Sequence, residues 1–392
     1  MTTASSNNPG PNARAPKSKH AALARPSLGE FSRFELSLLG TPCDGIKRLA
    51  TALMAQLGTQ LRVAYVDADH KGEEGPANPF LQAGAALHYN DKIAAKRLDY
   101  RGDLNPYQLR PFFAGQDLVL VNGNHFAARS QVVVVDPAKS LEKKLDKLTD
   151  VRLVLLAEGV AEVPAYLAAH LNHAGELPVL PLRDTQAVAN HILELWKAQV
   201  PPLHGLVLAG GLSTRMQRDK GLLNYHGEAQ REHTAGLLAR YCREVYLSCR
   251  PGQVTESGSR FAYLPDTFTG LGPKGGILSA LRHGPDAAWL VLACDLPLLD
   301  DDTLHFLVAH RDPSRVATAF LDPEGQFPEP LIAIYEPRSY PVLLQMLAQG
   351  YACPRKTLIN HDVALLRAPN PKALTNVNDP AEYERVVREL RS

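Results

Sequence analysis

The chain has 392 residues, enough for two units with a core each, and its 45% apolar and 21% charged content is that of a globular protein. Its 42 basic and 41 acidic residues leave a net charge of +1, which gives nucleic acid no general hold. Five cysteines form no C-x-x-C pair, a usage that suits a reducing cytoplasm and argues against a disulfide framework or zinc site, and no apolar run approaches the roughly 18 residues of a membrane span.

Residues 1–30 are rich in Ser, Asn, Pro and Ala, lack the apolar stretch of a secretory leader, and read as a disordered tail. Order is expected from Phe31. Residues 35–39 read as a strand, 40–45 as a tight loop, and 46–57 as a helix with Leu49, Leu53 and Leu57 on one face. A second strand, 61–66, ends in Asp67. This βαβ pattern predicts a parallel sheet, and short apolar runs at 117–121, 132–135 and 151–156 supply further strands. A closing helix over 184–197 buries Val188, Ile192, Leu195 and Trp196. His88, Tyr89, Asn90, Asn124 and His125 are polar groups near strand ends, where a pocket lining and a plain structural role are both open.

Gly40 and Gly45 have the spacing of a phosphate-binding P-loop, but Ile46 and Lys47 stand where its Lys and Ser/Thr belong. One residue of shift turns Lys47 by about 100° around a helix, and Pro42 removes a backbone donor. The loop is therefore expected to have lost NTP hydrolysis. Residues 31–197 form the first domain of this reading, and 198–204, with Pro201 and Pro202, form the linker.

The second domain, 205–392, opens with LVLAGGLSTRMQRDK over residues 206–220. Four apolar residues make a buried strand, Gly210 and Gly211 permit a sharp turn, and Arg215 and Lys220 add positive charge beside backbone N–H groups. That combination suits a polyphosphate. Helices are expected over 231–242 and 275–283, and strands over 244–248, 261–265 and 288–293. In such a sheet ligands gather at the carboxyl ends of strands, which puts Gly210, Asp266 and Asp295 on one rim. Asp295, just past six apolar residues, is placed to hold Mg²⁺, although an Asp before Pro297 also suits a helix cap. Residues 318–320 and 330–334 read as paired edge strands around a turn at 322–325, with Arg355 and Lys356 in a following loop. Asp379, Pro380 and Glu382 have the pattern of a helix start.

The glycine loop, with GPKGGI at 272–277, ACDLP at 293–297, PEPLI at 328–332 and NVNDP at 376–380, resembles the molybdenum cofactor guanylyltransferases over roughly residues 203–392. One departure is Gln217, where that family usually has Gly. The resemblance implies a Rossmann-like nucleotidyltransferase fold and contacts to GTP from Leu208, Ala209, Gly210, Lys220 and Asp266. It also implies a metal on Asp295 and an acceptor or metal site lined by Asn376 and Asn378. More loosely, the first half resembles the molybdopterin-guanine dinucleotide adaptor GTPases, with Asn122 in place of an acidic residue. The implied activity is transfer of GMP from GTP to the terminal phosphate of molybdopterin or molybdenum cofactor. Arg215, Lys220 and Asp295 would be its catalytic groups and Mg²⁺ its cofactor, with molybdoenzymes or other cofactor-biosynthesis proteins as further partners. Two alternatives stay open: a cytidylyl- or sugar-phosphate nucleotidyltransferase of the same fold, and a non-catalytic scaffold that delivers cofactor.

Overall fold

Two open sheets, one in each half of the chain, organise the protein, for which a computed structural model describes residues 23–68, 78–171, 175–210, 220–253 and 258–391. The first half runs β1 (Glu35–Leu39), α1 (Cys43–Leu57), β2 (Val63–Val66), α2 (Pro79–Gln82), β3 (Leu87–Asp91), β4 (Lys96–Tyr100) and α3 (Pro106–Phe113). It continues through β5 (Leu118–Asn122), β6 (Ser130–Val135), β7 (Val151–Leu156), α4 (Ala165–His170), β8 (Val179–Pro181) and α5 (Thr185–Lys197). Its sheet has the order β2-β5-β1-β6-β7-β8, and every neighbouring pair is parallel. Leu49, Leu53 and Leu57 of α1 lie buried with Val188 and Ile192 of α5 against Leu36, Leu38 and Leu120 of the sheet. The four-residue spacing seen in the sequence is thus the core-facing stripe of α1.

The second half runs β9 (Leu203–Leu208), α6 (Gln230–Leu238), β10 (Val245–Cys249), β11 (Ala262–Pro265), α7 (Pro273–His283), β12 (Ala288–Ala293) and α8 (Asp301–Ala309). Then come β13 (Ala317–Leu321), β14 (Pro328–Tyr335), α9 (Ser339–Ala348), α10 (Pro354–Ile359), β15 (Val363–Leu366) and α11 (Pro380–Arg391). The sheet order is β11-β10-β9-β12-β14-β13-β15, parallel except for β14, which runs against both β12 and β13. Alternate residues of β12 feed opposite faces. Leu290 and Leu292 join the cluster around α6 and α8, while Trp289 and Val291 join that around α7 and α9. Every residue of β12 is buried, as its unbroken apolar run requires of a central strand.

Several sequence expectations change. The strands at 317–321 and 328–335 do pair around a turn, but they lie inside the sheet, and β15 forms that edge. Arg355 and Lys356 are not in a loop: they belong to α10, and Arg355 Nη2 sits 3.1 Å from Glu329 Oε1. The helix read to 242 ends at Leu238, and β9 begins at Leu203, inside the stretch read as linker. Residues 23–30 of the tail carry no helix or strand, yet the Ser27 N–H reaches Asp286 at 2.9 Å.

The halves meet along the amino-terminal edges of both sheets. Arg338, beyond the end of β14, donates to Asp117 just ahead of β5, at 2.6 Å. Arg33, ahead of β1, pairs with Asp286 ahead of β12, and Arg62, ahead of β2, pairs with Asp362 ahead of β15. Connectivity requires this arrangement. Helix α5 returns to the amino-terminal edge of the first sheet, and β9 starts from the same edge of the second after only residues 198–202.

Candidate active site

A cleft of about 850 Å³ opens at the carboxyl ends of β9, β10 and β12. Leu208, Ala209 and Gly210 line one wall, Ser248 and Asp266 another, and Lys220, Asp295 and Asn378 one end. Three stretches far apart in sequence meet at that end. Lys220 Nζ lies 3.2 Å from Asp295 Oδ2 and 2.8 Å from Asn378 Oδ1. The Val377 N–H donates to the Asp295 carbonyl at 2.9 Å, which pins the NVNDP segment to the ACDLP turn. Asp379 accepts from the Glu382 N–H at 2.9 Å and so caps α11, while Glu382 accepts from the Asn378 N–H at 2.7 Å. Capping therefore fixes the Asn378 backbone and frees its side chain for the cleft.

Asp295 holds only half of its oxygens in use. Oδ2 faces Lys220, whereas Oδ1 is buried with no hydrogen-bond partner among the described residues. A buried carboxylate oxygen without a donor is costly and suits a hard cation. Among the described residues no three His, Cys, Asp or Glu side chains gather as a metal cage. A divalent ion here would rest on one carboxylate, with amide and substrate oxygens completing its shell, which is the usual habit of Mg²⁺ at phosphates.

The opposite wall is shaped by glycine. A Cβ on Gly276 would lie 2.6 Å from Leu208 Cδ2 and 2.9 Å from Ser248 Oγ, so glycine lets α7 approach β9 and β10 this closely without displacing those side chains. Gly272, at φ +56°, turns the chain into α7. Ser248 Oγ donates to Asp266 Oδ1 at 2.8 Å. Burial still raises the Asp266 pKa above its ordinary value, and the Ser248 hydrogen bond opposes this only in part. Next to the cleft, Lys274 is wholly buried and donates to the Tyr351 carbonyl at 2.6 Å, tying the start of α7 to the segment ahead of α10. Its burial lowers the ammonium pKa.

Of the residues singled out from sequence, Leu208, Ala209, Gly210, Lys220, Asp266, Asp295 and Asn378 share this cleft. Asn376 is exposed and is not among the residues lining it. Gly211 and Arg215 lie outside the described residues, as do Ser213 and Thr214. Arg250, Phe268, Thr269 and Gly270 also line the cleft, and sequence reasoning missed them. Arg250 directly follows β10, so the strand-end rule that found Asp266 and Asp295 would have found it too.

On the rim of the first sheet, Lys47 Nζ lies 3.7 Å from Asp67 Oδ2, and Thr41 Oγ1 donates to Asp136 at 2.6 Å. Asn122 donates to Asp67 at 2.7 Å, and His125 Nε2 sits 3.3 Å from Cys43 Sγ. His88 instead belongs to the β3–β4 hairpin, where Asn78 and Asp99 hold it.

The MobA-like NTP transferase domain family matches residues 205–364, which contain all of the cleft except Asn378. A molybdenum cofactor biosynthesis bifunctional protein of Synechocystis sp. is 37% identical over 188 residues, 47% of this chain and 54% of that one; the chain thus spans about half of that relative's length. The molybdenum cofactor guanylyltransferase of Pseudomonas putida is 31% identical over 192 residues, 47% of this chain and 97% of that protein. Among solved structures, molybdopterin-guanine dinucleotide biosynthesis protein A of Archaeoglobus fulgidus aligns with a TM-score of 0.41 at 21% identity, over 48% of this chain and 98% of that one. With nearly the whole length of the Pseudomonas putida protein matched inside it, the chain belongs to the molybdenum cofactor guanylyltransferase family.

Proposed function

We propose that the chain transfers GMP from GTP to the terminal phosphate of molybdopterin or molybdenum cofactor and releases pyrophosphate. The observation that carries this reading is the meeting of Lys220, Asp295 and Asn378 at one end of a cleft walled by the end of β9 and the Gly210 that follows it. An acceptor phosphate oxygen, already anionic at neutral pH, attacks the α-phosphorus. The bond from that phosphorus to the bridging oxygen breaks, and pyrophosphate leaves with the electron pair. No general base is needed, so the protein's work is positioning and charge neutralisation.

Leu208, Ala209, Gly210, Gly211 and Asp266 bind the nucleotide, with Ser248 fixing the Asp266 carboxylate. Lys220, already oriented by two oxygen partners, and Arg215 neutralise the departing pyrophosphate. Asn378, at the end of the cleft, faces the acceptor, whereas Asn376 lies outside that lining. A divalent cation, Mg²⁺ in this reading, would sit at Asp295 and supply charge neutralisation at the α-phosphate.

Residues 31–197 are a P-loop-like adaptor unit that does not hydrolyse nucleotide. Supporting this, Lys47 faces Asp67 and the Thr41 hydroxyl is bound to Asp136, so neither is directed to a phosphate. Its role is with cofactor or with molybdoenzymes. Five free cysteines suit a cytoplasmic location, and among the described residues no helix is long and apolar enough to cross a membrane. The test is pyrophosphate release from each of the four NTPs, with and without molybdopterin. GTP with the acceptor should give the dominant signal; equal release from CTP, or with a sugar phosphate as acceptor, would sink the assignment.

A further inference from the structure

Two groups of opposite charge stand at neighbouring strand ends on the cleft without meeting. Cys249, the last residue of β10, is level with Pro265, the last of β11, so Arg250 and Asp266 follow side by side on the rim. The Asp266 N–H donates to the Cys249 carbonyl at 2.8 Å and fixes the two strand ends against each other. Both residues line the cleft. Adjacent strands lie about 4.8 Å apart, close enough for a guanidinium and a carboxylate to pair. Among the described residues they do not. The Asp266 carboxylate accepts only from Ser248 Oγ, and Arg250 bonds through its backbone alone. Burial pushes the Asp266 carboxyl up, and the Ser248 hydrogen bond, with no help from a cation, is what opposes it.

The backbone under Arg250 is held rigidly. Residues 250–253 make a tight turn with Pro251 second and Gly252, at φ +86°, third, which is the pattern of type II. Gln253 closes the turn twice: its N–H donates to the Arg250 carbonyl at 3.0 Å, and its Oε1 accepts from the Arg250 N–H at 3.1 Å. The turn also abuts the glycine loop, since a Cβ on Gly210 would come within 3.5 Å of the Arg250 nitrogen. A cation so placed beside a nucleotide has either a phosphate or the base as its target. Lys220 and Asp295 mark the phosphate end, and Asp295 follows β12, two strands from β10 in the sheet order. Arg250 and Asp266 therefore stand on the side left for the base. Guanine fits the pair. Its O6 and N7 are adjacent acceptors that a guanidinium fork meets together, and its opposite edge carries donors for a carboxylate. Adenine and cytosine would each turn an amino donor towards the fork.

Resting on the reading of the cleft as a GTP site, we propose that Arg250 sets its base specificity by donating to O6 and N7 of guanine, with Asp266 accepting from the opposite edge. The experiment is calorimetric titration of the full chain with Mg²⁺ and no acceptor, comparing wild type with Arg250→Met. The ligands are GTP, GMP, CTP, ITP, which lacks the 2-amino group, and 7-deaza-GTP, which lacks only the N7 acceptor. Wild type should bind 7-deaza-GTP about 10-fold more weakly than GTP. Arg250→Met should weaken GTP and GMP alike, by about 10- to 100-fold, and should bind GTP and 7-deaza-GTP equally. It should keep the wild-type ratio of GTP to ITP affinity, because the 2-amino edge belongs to Asp266. A loss seen with GTP but not with GMP moves Arg250 to the phosphates and overturns the proposal. A wild type indifferent to N7 overturns it as well, and that arm decides even if the variant does not fold. Wild type that binds CTP as tightly as GTP overturns the GTP reading together with the role of Arg250, whereas a GTP preference that Arg250→Met leaves intact overturns the role of Arg250 alone.

Discussion

Replacing Asp295 by Asn separates the chemistry of the cleft from its architecture. Asn keeps the size and one carbonyl oxygen but loses the charge. Lys220 retains Asn378 Oδ1 at 2.8 Å and an amide oxygen in place of Asp295 Oδ2. The Asp295–Lys220 pair, at 3.2 Å, attracts by about 5 kcal/mol at an effective dielectric of 20 before desolvation is counted. Most of that is offset on removing the charge, because the carboxylate is largely withdrawn from water and, among the described residues, Oδ1 has no donor to lose. The fold should therefore lose about 1 kcal/mol, which moves the thermal midpoint by no more than about 4 °C. Catalysis should suffer far more. Removing a single preorganised group from the transition state costs about 10²- to 10³-fold in rate, or roughly 3–4 kcal/mol. The assay is continuous pyrophosphate release at saturating GTP and acceptor over a range of Mg²⁺, with melting followed in parallel. Turnover within a few-fold of wild type would refute the metal assignment. A collapse of the melting temperature would instead show that Asp295 is needed to build the turn.

Lys220→Ala and Arg215→Ala should each weaken GTP binding more than GMP binding, since both cations are assigned to phosphates that GMP lacks; calorimetric titration of both nucleotides decides it, and equal losses would move the side chains elsewhere. A fragment of residues 31–197 should give a cooperative melt and no NTP hydrolysis with Mg²⁺; hydrolysis abolished by Lys47→Ala would show that the shifted lysine works after all. His233 offers a pH-dependent test. Burial, with smaller contributions from His226 stacked at 3.8 Å and from Arg240, lowers its pKa from 6.5 to about 4, despite Glu228 at 3.9 Å. The unfolded chain then binds the extra proton between those values, so stability should fall as pH drops from 6.5 towards 4. His233→Asn should flatten that part of the urea-midpoint profile, and an unchanged slope would show that His233 is not its source.

The sequence made the strands around the cleft legible because their burial is written as uninterrupted apolar runs. Residues 288–293 are the clearest case, and Asp295 stands out by following them. It could place Lys220, Asp295 and Asn378 in order but not in contact. Their separation by 75 and 158 residues is closed by sheet topology and by the Val377–Asp295 backbone bond. The position of β13 and β14 was misread because a hairpin pattern looks the same at an edge as in the interior. Only the return of 363–366 beside β13 distinguishes them. Lys274 was invisible as a core residue, since a lysine is expected to reach water and this one is satisfied by a carbonyl 77 positions away. The hairpin at 87–100 was missed for a related reason. Its alternation is genuine, but among the described residues its apolar face is left exposed.

The edge-to-edge junction of the two halves limits what their fusion can accomplish. Because the amino-terminal edges meet, the two carboxyl rims point to opposite ends of the molecule, with the length of a strand on each side of the junction between them, about 35 Å in all. A ligand leaving one rim cannot be channelled to the other without passing through solvent or riding on a second molecule. What the covalent link provides is a fixed one-to-one ratio of the two halves, and a local concentration that any shared client experiences wherever it docks.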